Sequence, residues 1–253
     1  VQLACSGVCV RFGGIAALDG VSFEVPSRTI VGLIGPNGAG KTTLFNCISG
    51  LCRVQAGDIR LDGESLLRRG AHARARLGIG RTFQNVALFE SMTAAENVMV
   101  AGNAGQRPRW VAGAIGARSV SLGEAEAARE AERLLELVGL RGVAHRPVAE
   151  LPFGVRKRVE IARALAGRPR LVMLDEPVSG LNHSEIDGLM GLVRSLRDDL
   201  GLSVLLVEHN MNLVMGVSDR VVVLDFGRVI ANASPDEVRA HPEVIRAYLG
   251  SVA

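Results

Sequence analysis

The chain has 253 residues and a net charge of +3; 48% of its residues are apolar and 22% charged. That balance excludes a disordered polymer, which has too little apolar content to bury. It also excludes a strongly basic field of the kind that gathers nucleic acid, so no nucleic-acid partner is expected.

β-type patterning opens the chain, over Val8 to Phe12 and then Val21, Phe23 and Val25. Cys5, Cys9, Cys47 and Cys52 fit no zinc spacing and have no histidine beside them, which points to reduced thiols in a cytosolic protein. Thr29 to Ile34 is a short apolar run ending in glycine, expected as a buried strand. A helix is expected from Lys41 to Ser49, closed by Gly50, and a short strand over Asp58 to Leu61. From about residue 88 to 150 the pattern turns helical. Thr93 with Glu96, and Ser121 with Glu124, have capping-box spacing. After the second box, Ala127, Ala131, Leu134, Leu135 and Val138 share one helical face. Gly102 to Ser121, which contains Trp110, is expected as a variable loop or short helix. Beyond residue 170 come a strand over Leu171 to Leu174, a helix over Ser184 to Leu196, and strands over Val204 to Val207 and Val221 to Leu224. Ser234, Pro235 and Glu237 mark a further helix start. This alternation implies a parallel sheet covered on both faces, with the helical segment inserted between its halves. No apolar run approaches the ~18 residues that cross a bilayer, so the chain is expected to be soluble by itself and to reach a membrane by docking.

Residues 35 to 42 read GPNGAGKT, the phosphate-loop pattern, between an expected strand and an expected helix. Gly35, Gly38 and Gly40 let the backbone wrap closely and aim its N–H groups inward. The helix N-terminus adds partial positive charge. Lys41 is one of only two lysines among 29 basic residues; its ammonium is a compact point charge that fits a tight loop better than a guanidinium fork. It is placed to reach the β- and γ-phosphates, with the Thr42 hydroxyl on Mg²⁺ and Thr43 at the α-phosphate.

Residues 171 to 177 read LVMLDEP: a buried strand with two acids at its C-terminal end, where ligands of open α/β sheets bind. Asp175 is placed to hold Mg²⁺ through water, and Glu176 to act as general base on the attacking water. Gln84, after the strand-like Ile79 to Phe83, is placed to sense the γ-phosphate and Mg²⁺. His209, after Val207, is placed to hydrogen-bond the γ-phosphate. Phe12 suits stacking on adenine. Asn182 lies one turn past the acids.

In this order the motifs resemble the ABC ATPase family over essentially the whole chain. Phe12 is similar to its adenine-stacking aromatic, GPNGAGKT to Walker A, RTFQN to the Q-loop, LVMLDEP to Walker B, SGLN to the D-loop and VEHN to the switch-histidine segment. The resemblance implies an α/β P-loop NTPase fold: a RecA-like mixed sheet with an N-terminal antiparallel β subdomain, plus an α-helical subdomain. It implies one domain, with a nucleotide-binding core over about 1–87 and 156–253 and helices over about 88–155. ATP and Mg²⁺ are the implied ligands. Asn37, Gly38, Ala39, Gly40, Lys41, Thr42 and Thr43 would cradle the phosphates, and Thr42, Gln84 and Asp175 would hold the metal. Glu176, His209, Gln84 and Lys41 would carry catalysis.

The strings RFGGIAALDGVSFEV, GPNGAGKTTLFNCISG, GIGRTFQN, SMTAAENVMVA and SGLN resemble more narrowly the ATPases of branched-chain amino acid importers. The terminal PDEVRAHPEVIRAYLG fits the same type; the lipopolysaccharide-export ATPase is a nearby relative whose D-loop region usually differs. The implied partners are transmembrane permease subunits, a second ATPase subunit, alike or different, and indirectly a periplasmic or extracellular substrate-binding protein. The implied place is the cytoplasmic face of the membrane. DNA-repair ATPases of the family carry coiled-coil or zinc inserts missing here, and translation factors normally pair two ATPase domains in one chain.

One segment departs from the family. Its signature is usually Leu-Ser-Gly-Gly-Gln; here residues 151 to 155 read LPFGV. Pro152 lacks both a hydroxyl and a backbone N–H, and Val155 lacks an amide. Gly154 and the following helix remain, so Gly154 is expected to face the nucleotide of a paired subunit. Arg156, Lys157 and Arg158 are expected to add positive charge there.

Overall fold

The computed structural model describes residues 3–83, 87–103 and 117–249. The chain divides into two compact units, Val1–Ile79 with Arg170–Ala253, and Gly80–Pro169.

The first unit begins with a long antiparallel hairpin, Leu3–Phe12 (β1) and Ile15–Val25 (β2), turned at Gly13. Alternate residues along it are buried, as a one-sided sheet requires. Ala56–Leu61 (β4) pairs antiparallel with β1, and the two-residue Glu64–Ser65 (β5) closes this four-stranded sheet.

The second sheet carries the site. Its central strand is Ile30–Ile34 (β3), with Ser203–Val207 (β8) parallel on one side and Arg220–Asp225 (β9) parallel on the other. Leu171–Asp175 (β7) continues the parallel array beyond β8, and Ile79–Arg81 (β6) forms the edge. On the far side, Arg228–Ala233 (β10) is antiparallel to β9, through a turn that sequence patterning did not mark. Every residue of β3, β7 and β8 is buried, because helices and the first sheet cover both faces.

Lys41–Ser49 (α1) buries Leu44, Phe45, Cys47 and Ile48 in one cluster with the inner faces of both sheets. Burial of each large apolar side chain contributes about 1.5–3 kcal/mol, so the helix behind the glycine loop is firmly seated. It ends as expected at Gly50, whose φ of 82° lets its N–H turn back to Asn46 and Cys47 carbonyls. Ala71–Arg76 (α2) supplies a second restraint. Arg74, buried, donates from Nε to the Arg69 carbonyl and from Nη1 to the Cys47 and Ile48 carbonyls at the C-terminal end of α1. On the opposite face of the sheet, Ile34, Val214, Val221, Val223, Val238 and Val244 form a second cluster. It is roofed by Met211–Val217 (α7), Pro235–Ala240 (α8) and Pro242–Leu249 (α9).

The second unit packs Ala94–Asn103 (α3), Ala117–Leu137 (α4) and Phe153–Leu165 (α5) on one another. Thr93 and Glu96 form the expected capping box of α3. The expected start of α4 at Ser121 is corrected: the helix runs from Ala117, so Ser121 lies inside it. Residues 104–116, with Trp110, lie outside the described residues. Among the described residues no helix is long and apolar enough to cross a membrane.

Candidate functional site

Three loops leave the C-terminal ends of β3, β7 and β8, which lie side by side in register: Leu33 pairs with Val207, and Val207 with Asp175. The loop after β3 is the glycine run. A Cβ on Gly35 would stand 2.1 Å from the Leu224 carbonyl oxygen. One on Gly40 would stand 2.5 Å from that of Ala17, and Gly40 has φ 102°. Only glycine lets the loop nest this closely on β9 and β2. Gly40 is the N-cap of α1 and offers no side-chain cap, and the first turn carries no acid. The leading amides of α1, at Lys41, Thr42 and Thr43, have no intrahelical carbonyl to meet. They form an anion-binding end.

Lys41 Nζ donates to the Gly35 and Pro36 carbonyls at 2.7 and 2.9 Å, which uses two of its three N–H bonds. Burial lowers its pKa, and the nearby Glu176 carboxylate acts the other way, favouring the cation. Asn37, Gly38 and Thr42 are exposed along the loop, Ala39 is buried under it, and Thr43 is half-buried. The Tyr248 hydroxyl on α9 meets the Gly35 backbone; burial pushes its pKa up to about 12. A cleft of about 470 Å³ between Pro36–Ala39 and α9 is lined also by Phe226 and Arg246. It shares Asn37, Gly38 and Ala39 with the glycine loop, while Lys41, Thr42 and Asp175 take no part in its walls.

After β7 stand the two acids. Asp175 is buried at the strand end. Glu176 has φ 47°, a left-handed conformation that a non-glycine residue holds only when its surroundings impose it. Its N–H donates to the Val207 carbonyl at 2.9 Å. After β8, His209 brings Nδ1 to 3.8 Å from Glu176 Oε1, with its ring largely in solvent. Lys41, Asp175, Glu176 and His209 thus meet at one end of one sheet. Phe12, exposed, ends the strand paired with β2, whose Ala17 touches Gly40. Gln84 lies outside the described residues.

Glu208, beside His209, is a site residue that sequence reasoning missed. It is 1% exposed, and both of its oxygens accept backbone N–H groups of the site loops. An acid directly after a continuous apolar strand, as Glu176 stands after β7, was the available signal. Asn182 is explained by structure: it caps His183–Asp198 (α6) in a capping box with Glu185.

In the second unit, α5 starts at Phe153 with Pro152 as N-cap, so the amides of its first turn, Gly154 among them, are free of helix carbonyls. The cations expected to add charge there are held by contacts within the unit. Arg156 turns back to the Leu151 and Ala149 carbonyls, and Arg158 reaches the Val138 carbonyl. Lys157 is buried, its Nζ 5.6 Å from the Phe153 ring centre. Deeper in α5, Glu160 is buried and accepts the Phe83 N–H at 2.9 Å, while Arg163 donates to the Ala87 carbonyl. Asn97, also buried, holds Phe89 by both its N–H and its carbonyl.

Comparison with known proteins agrees with this geometry. Residues 18–179 match the ABC transporter family model, and residues 228–253 match a model described as the branched-chain amino acid ATP-binding cassette transporter. The chain is 45% identical over 248 residues to the high-affinity branched-chain amino acid transport ATP-binding protein BraF of Pseudomonas aeruginosa, covering 98% of this chain and 97% of that one. Among solved structures, the ADP conformation of MJ1267, an ATP-binding cassette of an ABC transporter, aligns with a TM-score of 0.85 at 28% identity over 99% of each chain. The dimeric post-hydrolysis state of the cassette MJ0796, bound to ADP and Pi, aligns with a TM-score of 0.78 at 27% identity, over 92% of this chain and 98% of that one.

Proposed function

The chain belongs to the ATP-binding subunits of ABC transporters, binding and hydrolysing ATP to energise a membrane transporter, and from that premise we propose that its transporter imports branched-chain amino acids. The near-complete match to BraF and the C-terminal match support that cargo.

Phe12 stacks on adenine, and the amides of Asn37 through Thr43 cradle the phosphates, with Lys41 at the β- and γ-phosphates. Thr42 and Asp175 are hard oxygen donors of the kind Mg²⁺ takes beside substrate phosphates, and they would hold it, with Gln84. When bound, the metal neutralises charge on the β- and γ-oxygens. Glu176 polarises the attacking water, and His209 donates a hydrogen bond to the γ-phosphate. Gly154 and the amides of its helix turn contact the nucleotide of a second ATPase subunit. The altered LPFGV signature favours a different subunit as that partner, and a tightly closed homodimer would refute this. Permease subunits dock over Phe83 to Phe89, where Phe89 is exposed. This holds the single ABC ATPase domain against the cytoplasmic face of the membrane, with a substrate-binding protein acting from the far side.

The observation that best supports this reading is the convergence of Lys41, Glu176 and His209. The decisive experiment is Glu176→Gln in the reconstituted transporter. Steady hydrolysis should fall about 10²-fold or more while nucleotide binding persists, and leucine, isoleucine and valine uptake should stop. Unchanged hydrolysis would remove Glu176 as base. Uptake of none of the three amino acids by the wild type would remove the cargo.

A further inference from the structure

Resting on that reading of Glu176 and His209, we propose that Glu208 is a positioning residue for hydrolysis: its buried carboxylate locks the loop that carries the histidine to the loop that carries the base. One oxygen, Oε1, accepts the Val178 N–H at 2.9 Å, two residues beyond Glu176. The other, Oε2, accepts the N–H groups of His209 and Asn210 at 3.1 and 3.3 Å. Asn210 then caps α7 by accepting the Leu213 N–H, so the clamp extends into a helix.

The strain at Glu176 gives this arrangement its purpose. A left-handed glutamate relaxes unless both sides are held. On one side its own N–H is fixed to the Val207 carbonyl, the residue before Glu208. On the other side Val178 is fixed to the Glu208 carboxylate. The same carboxylate sets the backbone of His209, whose ring stands 3.8 Å from Glu176. One buried group therefore spaces the water-activating acid and the phosphate-binding histidine.

Only a carboxylate meets this demand. It offers acceptors on both oxygens and no donor, and charge strengthens each bond. A glutamine accepts on one side and turns an N–H₂ toward backbone N–H groups on the other. Burial raises the Glu208 pKa, and the three amides and His209 oppose the rise.

The test uses the assembled transporter in steady-state ATP hydrolysis assays. Glu208→Gln should lower kcat about tenfold or more, with KM and nucleotide affinity within about twofold of wild type. In a His209→Ala background the same change should cost less than it does in the wild type, because one of the two residues that the clamp spaces is already gone. Should Glu208→Gln fail to fold, Glu208→Asp, which keeps the charge but is one methylene short, carries the same expectations. A kcat within twofold of wild type, an equal loss in both backgrounds, or a loss carried by KM would each overturn the proposal. If Glu176→Gln stops hydrolysis and Glu208→Gln does not, this proposal alone falls. If Glu176→Gln leaves hydrolysis intact, the reading beneath it falls.

Discussion

Replacing Arg74 should loosen the helix that receives the phosphates without touching the phosphates themselves. The guanidinium lies at the other end of α1, 4% exposed, and donates to three backbone carbonyls: Cys47, Ile48 and Arg69. Hydrogen bonds to a charged group contribute roughly 1.5–3 kcal/mol each, and a cation at a helix C-terminus adds a few tenths to about 1 kcal/mol. Against these stands the cost of burying the charge, which also lowers the Arg74 pKa. The net loss in Arg74→Ala is then about 2–4 kcal/mol, with the Ile48 carbonyl losing its side-chain donor while that of Cys47 keeps the Gly50 N–H. For a chain of this size each kcal/mol shifts Tm by about 2–4 °C, so the drop should be roughly 5–15 °C. Arg74→Lys should recover part of it, since one ammonium cannot fork to three carbonyls. Thermal unfolding followed by circular dichroism, without nucleotide, measures both. An Arg74→Ala protein melting within about 1 °C of wild type would refute the reasoning, because buried acceptors cannot go unpaired at no cost.

Gly40→Ala should destabilise by about 3 kcal/mol or more, from strain at positive φ plus overlap with the Ala17 carbonyl. Gly38→Ala, whose added methyl meets nothing within 4 Å, should cost only the backbone strain of about 1–2 kcal/mol; urea titrations giving the two equal losses would contradict the close approach at Gly40. Burial raises the Glu160 pKa above its ordinary 4.5, against the Phe83 and Ala87 amides and the Arg163 and Lys157 charges. The folded state therefore holds this proton to higher pH than the unfolded chain does. Stability from this group should fall as pH climbs from the ordinary carboxylate range through the raised value. Glu160→Gln should flatten that slope, and superimposable curves for the two proteins would exclude a raised carboxylate.

Much of the site was legible because its chemistry is local. The glycine loop, the acids after an apolar strand and the histidine after another are short strings whose neighbours in sequence are their neighbours in space. The strands β3, β7 and β8 were legible for the same reason, being unbroken apolar runs. The groups that hold those strings in place were not. Arg74, Glu208, Glu160 and Asn97 carry polar side chains in unremarkable sequence, and their partners lie 26 residues away for Ile48, 30 for Val178 and 77 for Phe83. Nothing in periodicity marks a charged residue that faces inward. The contacts of the cations after LPFGV were not legible either: Arg156 is held by the Leu151 and Ala149 carbonyls and Arg158 by that of Val138. The edge strands β5 and β10 are too short or too polar to stand out from turns.

The in-register ends of β3, β8 and β7 make one margin of this sheet unforgiving and leave the other lenient. An inserted residue on the loop side of Leu33, Asp175 or Val207 displaces one reactive group against its two neighbours by a full backbone step, about 3.3 Å, further than any hydrogen bond tolerates. An insertion in the 199–202 connection, at the opposite margin, is absorbed before the chain enters β8. Length variation in homologous chains should therefore gather at that lenient margin, and it is where a reporter peptide can be spliced in with hydrolysis preserved.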